Sequence, residues 1–139
     1  MDNKKRHIDH IGIAVKDLES AIRTYETSLQ TECYKREVVE SQKVETAFFQ
    51  TGESKVELLG PTSPDSVIAK YVDKKGEGLH HVAFEVADIH AELERLKNEG
   101  YRLLNDEPVA GADNKIIAFV HPKDNNGVLM ELCQDRSKS

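Results

Sequence analysis

The sequence has no tryptophan and only two cysteines, Cys33 and Cys133, in 139 residues. Two isolated cysteines form neither a CxxC metal motif nor a disulfide framework, which excludes the class of small, disulfide-stapled secreted domains. The chain must therefore be stabilised by its own hydrophobic core. Because domains typically run about 100–150 residues, the length predicts one domain spanning residues 1–139, which two fused half-domains could also form.

Positive charge and long apolar runs are also scarce. Lysine and arginine number 19 against 25 aspartates and glutamates, a formal net charge of −6, which predicts no nucleic-acid partner. No apolar run approaches the roughly 20 residues that cross a bilayer, so we expect no membrane partner. The segment from Met1 to His7 is polar and basic and lacks the apolar centre of a secretory leader. These features predict a cytoplasmic protein.

The chain contains an internal repeat, in which residues 8–18 (IDHIGIAVKDL) align with residues 79–89 (LHHVAFEVADI). The identical positions are His10 and His81, Val15 and Val86, and Asp17 and Asp88. In each copy a strand-like segment reaches an aspartate suited to cap a helix, and helical periodicity follows. Each copy closes with a similar phrase, KVELL at residues 55–59 and VLMEL at residues 128–132.

The repeat predicts an α+β fold made of two tandem β-α-β-β-β modules, at about residues 7–60 and about residues 78–134. A linking helix is expected at about residues 63–75, starting at Ser63-Pro64, ending at Gly76 and turning Val67 inward. The competing interpretation is a pair of unrelated α+β halves.

Strand alternation places four polar side chains on one surface, since successive residues of a strand face opposite sides. In the opening strand of each module the apolar residues face the helices, which leaves His10 and His81 on the other face. In the closing strands Glu57 and Glu131 oppose apolar neighbours in the same way. Each module therefore contributes one histidine and one glutamate to the face away from the helices.

Two imidazoles and two carboxylates suit a five- or six-coordinate divalent ion such as Co²⁺, Mn²⁺, Ni²⁺ or Zn²⁺. Taken alone, a histidine in a strand is usually a satisfied or exposed side chain, but a buried glutamate needs a partner for its charge. A histidine and a glutamate recur at matching positions of the two modules, and this recurrence favours a metal site. The adjacent His80 is expected to face the helices and to be structural.

Several further segments carry a resemblance to known proteins. They are Asp9–Val15 (DHIGIAV), Pro64–Lys70 (PDSVIAK), Gly76–Val86 (GEGLHHVAFEV), Asp106–Pro108 (DEP), His121–Asp124 (HPKD) and Gly127–Leu132 (GVLMEL). With a candidate ligand on the first and last strand of each module, the chain resembles the vicinal oxygen chelate superfamily of glyoxalase, bleomycin resistance and dioxygenase proteins. The segments are similar to its methylmalonyl-CoA epimerase family, over about residues 8–133.

The resemblance implies a curved mixed sheet around a metal site, with the helices on its outer face. It implies an isomerase that interconverts (2R)- and (2S)-methylmalonyl-CoA by abstracting the C2 proton through a metal-stabilised enolate. The implied partners are an acyl-CoA substrate and a second copy of the chain in a homodimer. The implied metal ligands are His10, Glu57, His81 and Glu131, with Glu131 also the expected base; Co, Zn, Mn and Ni are not distinguished.

Two positions of the chain depart from the family pattern. Several members carry glutamine where this chain has Glu57, and glyoxalase-type relatives also carry glutamate there. The second base that epimerisation requires would come from the strand at residues 44–49, where either Glu45 or Thr46 matches the expected position. For the phosphates of CoA, Lys115 and Lys123 lie in predicted loops, but neither is assigned.

Three alternative functions use the same scaffold. A glyoxalase I-type lactoylglutathione lyase moves a proton through a similar intermediate, although the segments at residues 64–70 and 121–124 favour the epimerase. A ring-cleaving dioxygenase needs open metal positions, which a fourth protein ligand would occupy. A metal-free small-molecule-binding module does not require metal ligands, so the presence of all four candidates argues against it.

Overall fold

The computed structural model describes residues 7–136 and contains eight strands and three α-helices within that range. In chain order they are β1 (His7–Ala14), α1 (Leu18–Leu29), β2 (Lys35–Val39), β3 (Val44–Thr51), β4 (Ser54–Pro61), α2 (Val67–Lys75), β5 (Gly78–Glu85), α3 (Ile89–Asn98), β6 (Val109–Ala110), β7 (Lys115–Val120) and β8 (Met130–Asp135). The predicted strand–helix–strand–strand–strand order is confirmed in both copies.

The chain divides into two compact units. The first unit is residues 10–80, and the second unit is residues 81–136 together with 7–9. In the first unit the strands follow the order β2-β3-β4-β1, with β1 parallel to β4 and the other pairs antiparallel. In the second unit the order is β5-β8-β7-β6, with β5 parallel to β8 and the other pairs antiparallel. The two units therefore repeat one topology.

Matching aspartates start the helix that follows the first strand of each module. The Asp17 side chain accepts a hydrogen bond from the Ser20 amide at 3.2 Å, and the Asp88 side chain accepts one from the Ala91 amide at 3.1 Å. An aspartate at this position satisfies an amide that the first helical turn leaves unpaired. The two identical aspartates of the repeat are thus both N-caps.

Each unit buries one face of its strands against its own helix. In the first unit, the buried residues of that core are Val15, Leu18, Ile22, Ala47, Phe49, Val56 and Leu58. In the second unit they are Val86, Ile89, Leu93, Leu96, Ala118, Val120 and Leu132. Because side chains alternate along a strand, the intervening residues of each unit lie on the opposite face, and this face carries the predicted ligands.

Three local predictions differ from the structure. The linking helix α2 begins at Val67 rather than at Ser63-Pro64. Ser66 is its N-cap, because the Ser66 side chain accepts a hydrogen bond from the Ile68 amide at 3.1 Å. Val67 is 66% exposed and does not face inward. The closing strand β8 begins at Met130, so Val128 lies outside it. Among the described residues, no helix is long and apolar enough to cross a membrane.

Candidate active site

The first unit brings together the predicted ligands His10 and Glu57. His10 Nε2 lies 3.2 Å from Glu57 Oε1, and both side chains are buried. The parallel pairing of β1 with β4 causes this contact, since it sets Gly12 beside Glu57 and His10 beside Lys55. Gly12 has no side chain, which leaves room for the two polar groups on this face.

The second unit brings together His81 and Glu131 in the same way. His81 Nε2 lies 3.2 Å from Glu131 Oε1, and both side chains are again buried. Here β5 is parallel to β8 and sets Ala83 beside Glu131. The Phe119 ring packs edge-on against the His81 imidazole, with the ring centroids 5.7 Å apart. The two pairs occupy equivalent positions in the repeat.

Burial makes these pairs chemically unusual. An ionised carboxylate is costly to remove from water unless a cation or hydrogen bonds compensate its charge. Each pair offers one imidazole and one carboxylate, which are donors that borderline and hard divalent metal ions accept. The donor chemistry of each pair is thus suited to a metal ion.

The adjacent His80 has a different environment. Its ring packs edge-on against the Tyr71 ring of α2, with the centroids 4.8 Å apart. This contact agrees with the structural role expected for His80 and separates it from its neighbour His81.

The pairing of β3 with β4 determines on which face of the sheet Glu45 lies. In the antiparallel pairing of β3 with β4, Phe48 lies opposite Glu57 and Ala47 lies opposite Leu58. Thr46 therefore shares the face of Glu57, while Glu45 shares the face of Ala47, which packs toward α1.

Glu45 is held on the helix side by an ion-pair network. Its Oε2 accepts a hydrogen bond from Arg36 Nε at 2.9 Å, and the same guanidinium binds Glu19 of α1. Two hydrogen bonds raise the pKa of Arg36, the larger effect coming from Glu19 and the smaller from Glu45. In return, the hydrogen bond from Arg36 lowers the pKa of Glu19. Glu45 is therefore not on the face that carries His10 and Glu57.

Lys115 also differs from its sequence-based assignment to a loop. It begins β7, is 7% exposed, and places its Nζ 3.6 Å from Asp9 Oδ1 and 3.4 Å from Glu85 Oε1. A lysine enclosed by two carboxylates is a structural cation of the second unit. The burial of Asp9 that makes this cluster possible has no clear signal in the sequence.

Comparison with known proteins identifies the family. The Glyoxalase/Bleomycin resistance protein/Dioxygenase superfamily model matches residues 9–119. The ethylmalonyl-CoA/methylmalonyl-CoA epimerase of Cereibacter sphaeroides is 40% identical over 91% of this chain and 96% of that protein.

Two solved structures have the same fold. The crystal structure of a hypothetical protein from Bacillus halodurans superimposes with a TM-score of 0.91 at 44% identity, covering 94% of this chain and 95% of that one. A variant of the Streptomyces coelicolor methylmalonyl-CoA epimerase, in complex with 2-nitronate-propionyl-CoA, gives a TM-score of 0.86 at 41% identity over 93% and 94% of the two chains. The chain therefore belongs to the methylmalonyl-CoA epimerase family of the vicinal oxygen chelate superfamily, as the sequence motifs predicted, and it is an isomerase of the epimerase type.

Proposed function

We propose that this protein is a metal-dependent epimerase that interconverts (2R)- and (2S)-methylmalonyl-CoA. The observation that carries the proposal is the pair of buried histidine–glutamate contacts at equivalent positions of the two modules. Relatives of about 40% identity are named for this reaction, and one solved relative holds a CoA thioester analogue. The substrate is accordingly an acyl-CoA, and the protein acts as a cytoplasmic homodimer.

His10, Glu57, His81 and Glu131 would hold the metal ion, and Co²⁺, Zn²⁺, Mn²⁺ and Ni²⁺ all accept such a ligand set. A bound divalent ion would act as a Lewis acid that stabilises negative charge developing on the substrate oxygens. The fourth ligand is Glu57, a carboxylate that adds negative charge to the site and strengthens its preference for a cation.

Glu131 is the proposed base. Its carboxylate takes the C2 proton as the C–H bond breaks, and the electron pair moves into the thioester carbonyl to give an enolate. A second group then delivers a proton to the opposite face of C2, so the reaction inverts the carbon without net gain or loss of atoms.

Deuterium incorporation at C2 of methylmalonyl-CoA in D₂O tests the proposal. The protein is stripped of metal, then reloaded with Co²⁺, and succinyl-CoA and protein-free solution serve as comparisons. We expect fast exchange only with metal, a loss of about 100-fold or more in His81→Ala, and little change in the matched control His80→Ala, whose ring contacts Tyr71 instead.

Absence of metal-dependent exchange, with metal bound, would overturn the epimerase assignment. The hemithioacetal of methylglyoxal and glutathione is then the substrate to assay, because a glyoxalase-type lyase also moves a proton next to a carbonyl. Failure to bind any metal ion would instead favour a small-molecule-binding role for the same fold.

A further inference from the structure

An acidic side chain of the outer strand β2 shares the face of the first His–Glu pair. Glu37 lies opposite Thr46 in the pairing of β2 with β3, and Lys35 lies opposite Phe48. Phe48 in turn lies opposite Glu57 on β4. Since directly opposed residues of an antiparallel pair project from the same face, Glu37 projects from the face that carries Glu57 and His10.

Epimerisation requires a proton donor that the metal ligands do not provide by themselves. One base can remove the C2 proton and return it to the same side, but inversion needs a second group on the other side of the planar carbon. Two oxygens that each approach C2 to about 3 Å from opposite sides are about 6 Å apart. The second group is therefore expected at some distance from the metal ligands.

The first unit offers one acidic residue besides Glu57 on the face that carries His10 and Glu57. Across residues 10–61, all described, the acidic side chains that strands β1 to β4 direct to this face are Glu57 and Glu37. Glu37 is separated from Glu57 by the intervening strand β3, and adjacent strands are about 4.8 Å apart. Glu45, the acidic residue that the sequence suggested, projects from the opposite face and binds Arg36.

The surroundings of Glu37 suit proton exchange with solvent. Its side chain is 32% exposed, in contrast to the buried Glu57, and Lys35 Nζ lies 3.5 Å from Glu37 Oε1. Lys35 and Glu37 project from the same face of β2, so the ion pair restricts the orientations of the Glu37 carboxylate. Partial exposure lets water reload the carboxylate with a proton between turnovers.

We propose that Glu37 is the second base of the epimerisation, an inference that rests on the proposed function. For one epimer Glu37 takes the C2 proton, and the electron pair of the broken C–H bond enters the thioester carbonyl. The conjugate acid of Glu131 then forms the new C–H bond on the opposite face. For the other epimer the two carboxyl groups exchange roles.

The test compares Glu37→Gln with the matched control Glu45→Gln, a glutamate of the next strand whose side chain lies on the other face. Each purified epimer is incubated separately with Co²⁺-loaded protein in D₂O. Deuterium incorporation at C2 and conversion to the other epimer are measured in the same samples. Melting temperatures of the variants establish that both are folded.

In Glu37→Gln we expect inversion to fall about 100-fold or more, within the range typical of a lost general base. One epimer should still incorporate deuterium without inversion, because the base on its side remains. Glu45→Gln should invert at the wild-type rate.

Inversion by Glu37→Gln at the wild-type rate would overturn the inference and leave the proposed function intact. Equal loss of exchange and inversion for both epimers would also overturn it, because Glu37 would then affect the whole site rather than one side of the carbon. Absence of exchange in the wild-type protein would instead be a failure of the proposed function.

Discussion

Replacing Leu58 by alanine tests the packing that turns Glu57 away from the helix. Leu58 is fully buried in the core of the first unit, where the side chains of α1 pack against β3 and β4. Removing its branched end deletes three buried carbons and leaves a cavity that a rigid strand cannot close. Such truncations cost about 2–5 kcal/mol of unfolding free energy. For a chain of this length the melting temperature should fall by about 10 °C.

The assay is thermal unfolding of the metal-free protein followed by circular dichroism. Val38→Ala is the control, since Val38 is 49% exposed on β2 and its truncation should cost about 0.5 kcal/mol or less. A melting temperature in Leu58→Ala within 2 °C or so of the wild type would refute the assigned core, as would an equal loss in both variants.

Three further predictions concern a cap, a surface ion pair and the thiols. Asp88→Ala should destabilise the protein by about 1 kcal/mol through loss of a helix N-cap, measured by urea unfolding; an unchanged midpoint would contradict the cap. Arg102 lowers the pKa of Asp124 from 3.8 to about 2, so this stabilisation exists above pH 4 and is lost as pH falls toward 2. Between pH 5 and 2 the melting temperature of Asp124→Asn should therefore fall less than that of the wild type. An equal fall in both proteins would contradict the stabilising ion pair between Arg102 and Asp124. Half-buried Cys33 should react with a thiol reagent in the native protein. Cys133 should react only after unfolding, because it is buried and its burial raises the pKa of the thiol. Two reactive thiols in the native protein would contradict this.

Much of the fold follows from local sequence patterns. The repeat around His10 and His81, with a capping aspartate seven positions later in each copy, predicts the order of strands and helices. These signals are local because alternation and capping involve residues a few positions apart. Competing caps decide some helix boundaries: α2 begins after the Ser66 cap, although Ser63-Pro64 also matches the pattern of a helix start.

The candidate site depends partly on pairing that no local pattern specifies. In residues 44–49 apolar side chains occur at both parities, so alternation alone leaves Glu45 and Thr46 equivalent. The register of β3 against β4 and the hydrogen bond from Arg36 separate them. The same holds for Lys115, whose burial depends on Asp9, far away in the chain.

The sequence by itself determined which residue types face away from α1 and α3, because a strand's two-residue period is a property of the chain. It did not show that α2 packs on the far end of the other face, against Ala14 and Leu59. The tertiary structure decided which of those residues meet. Parallel pairing of β1 with β4 brings His10 to Glu57, and parallel pairing of β5 with β8 brings His81 to Glu131. Register between strands that are distant in sequence is set by the packing of both faces at once, and this information is absent from any single segment.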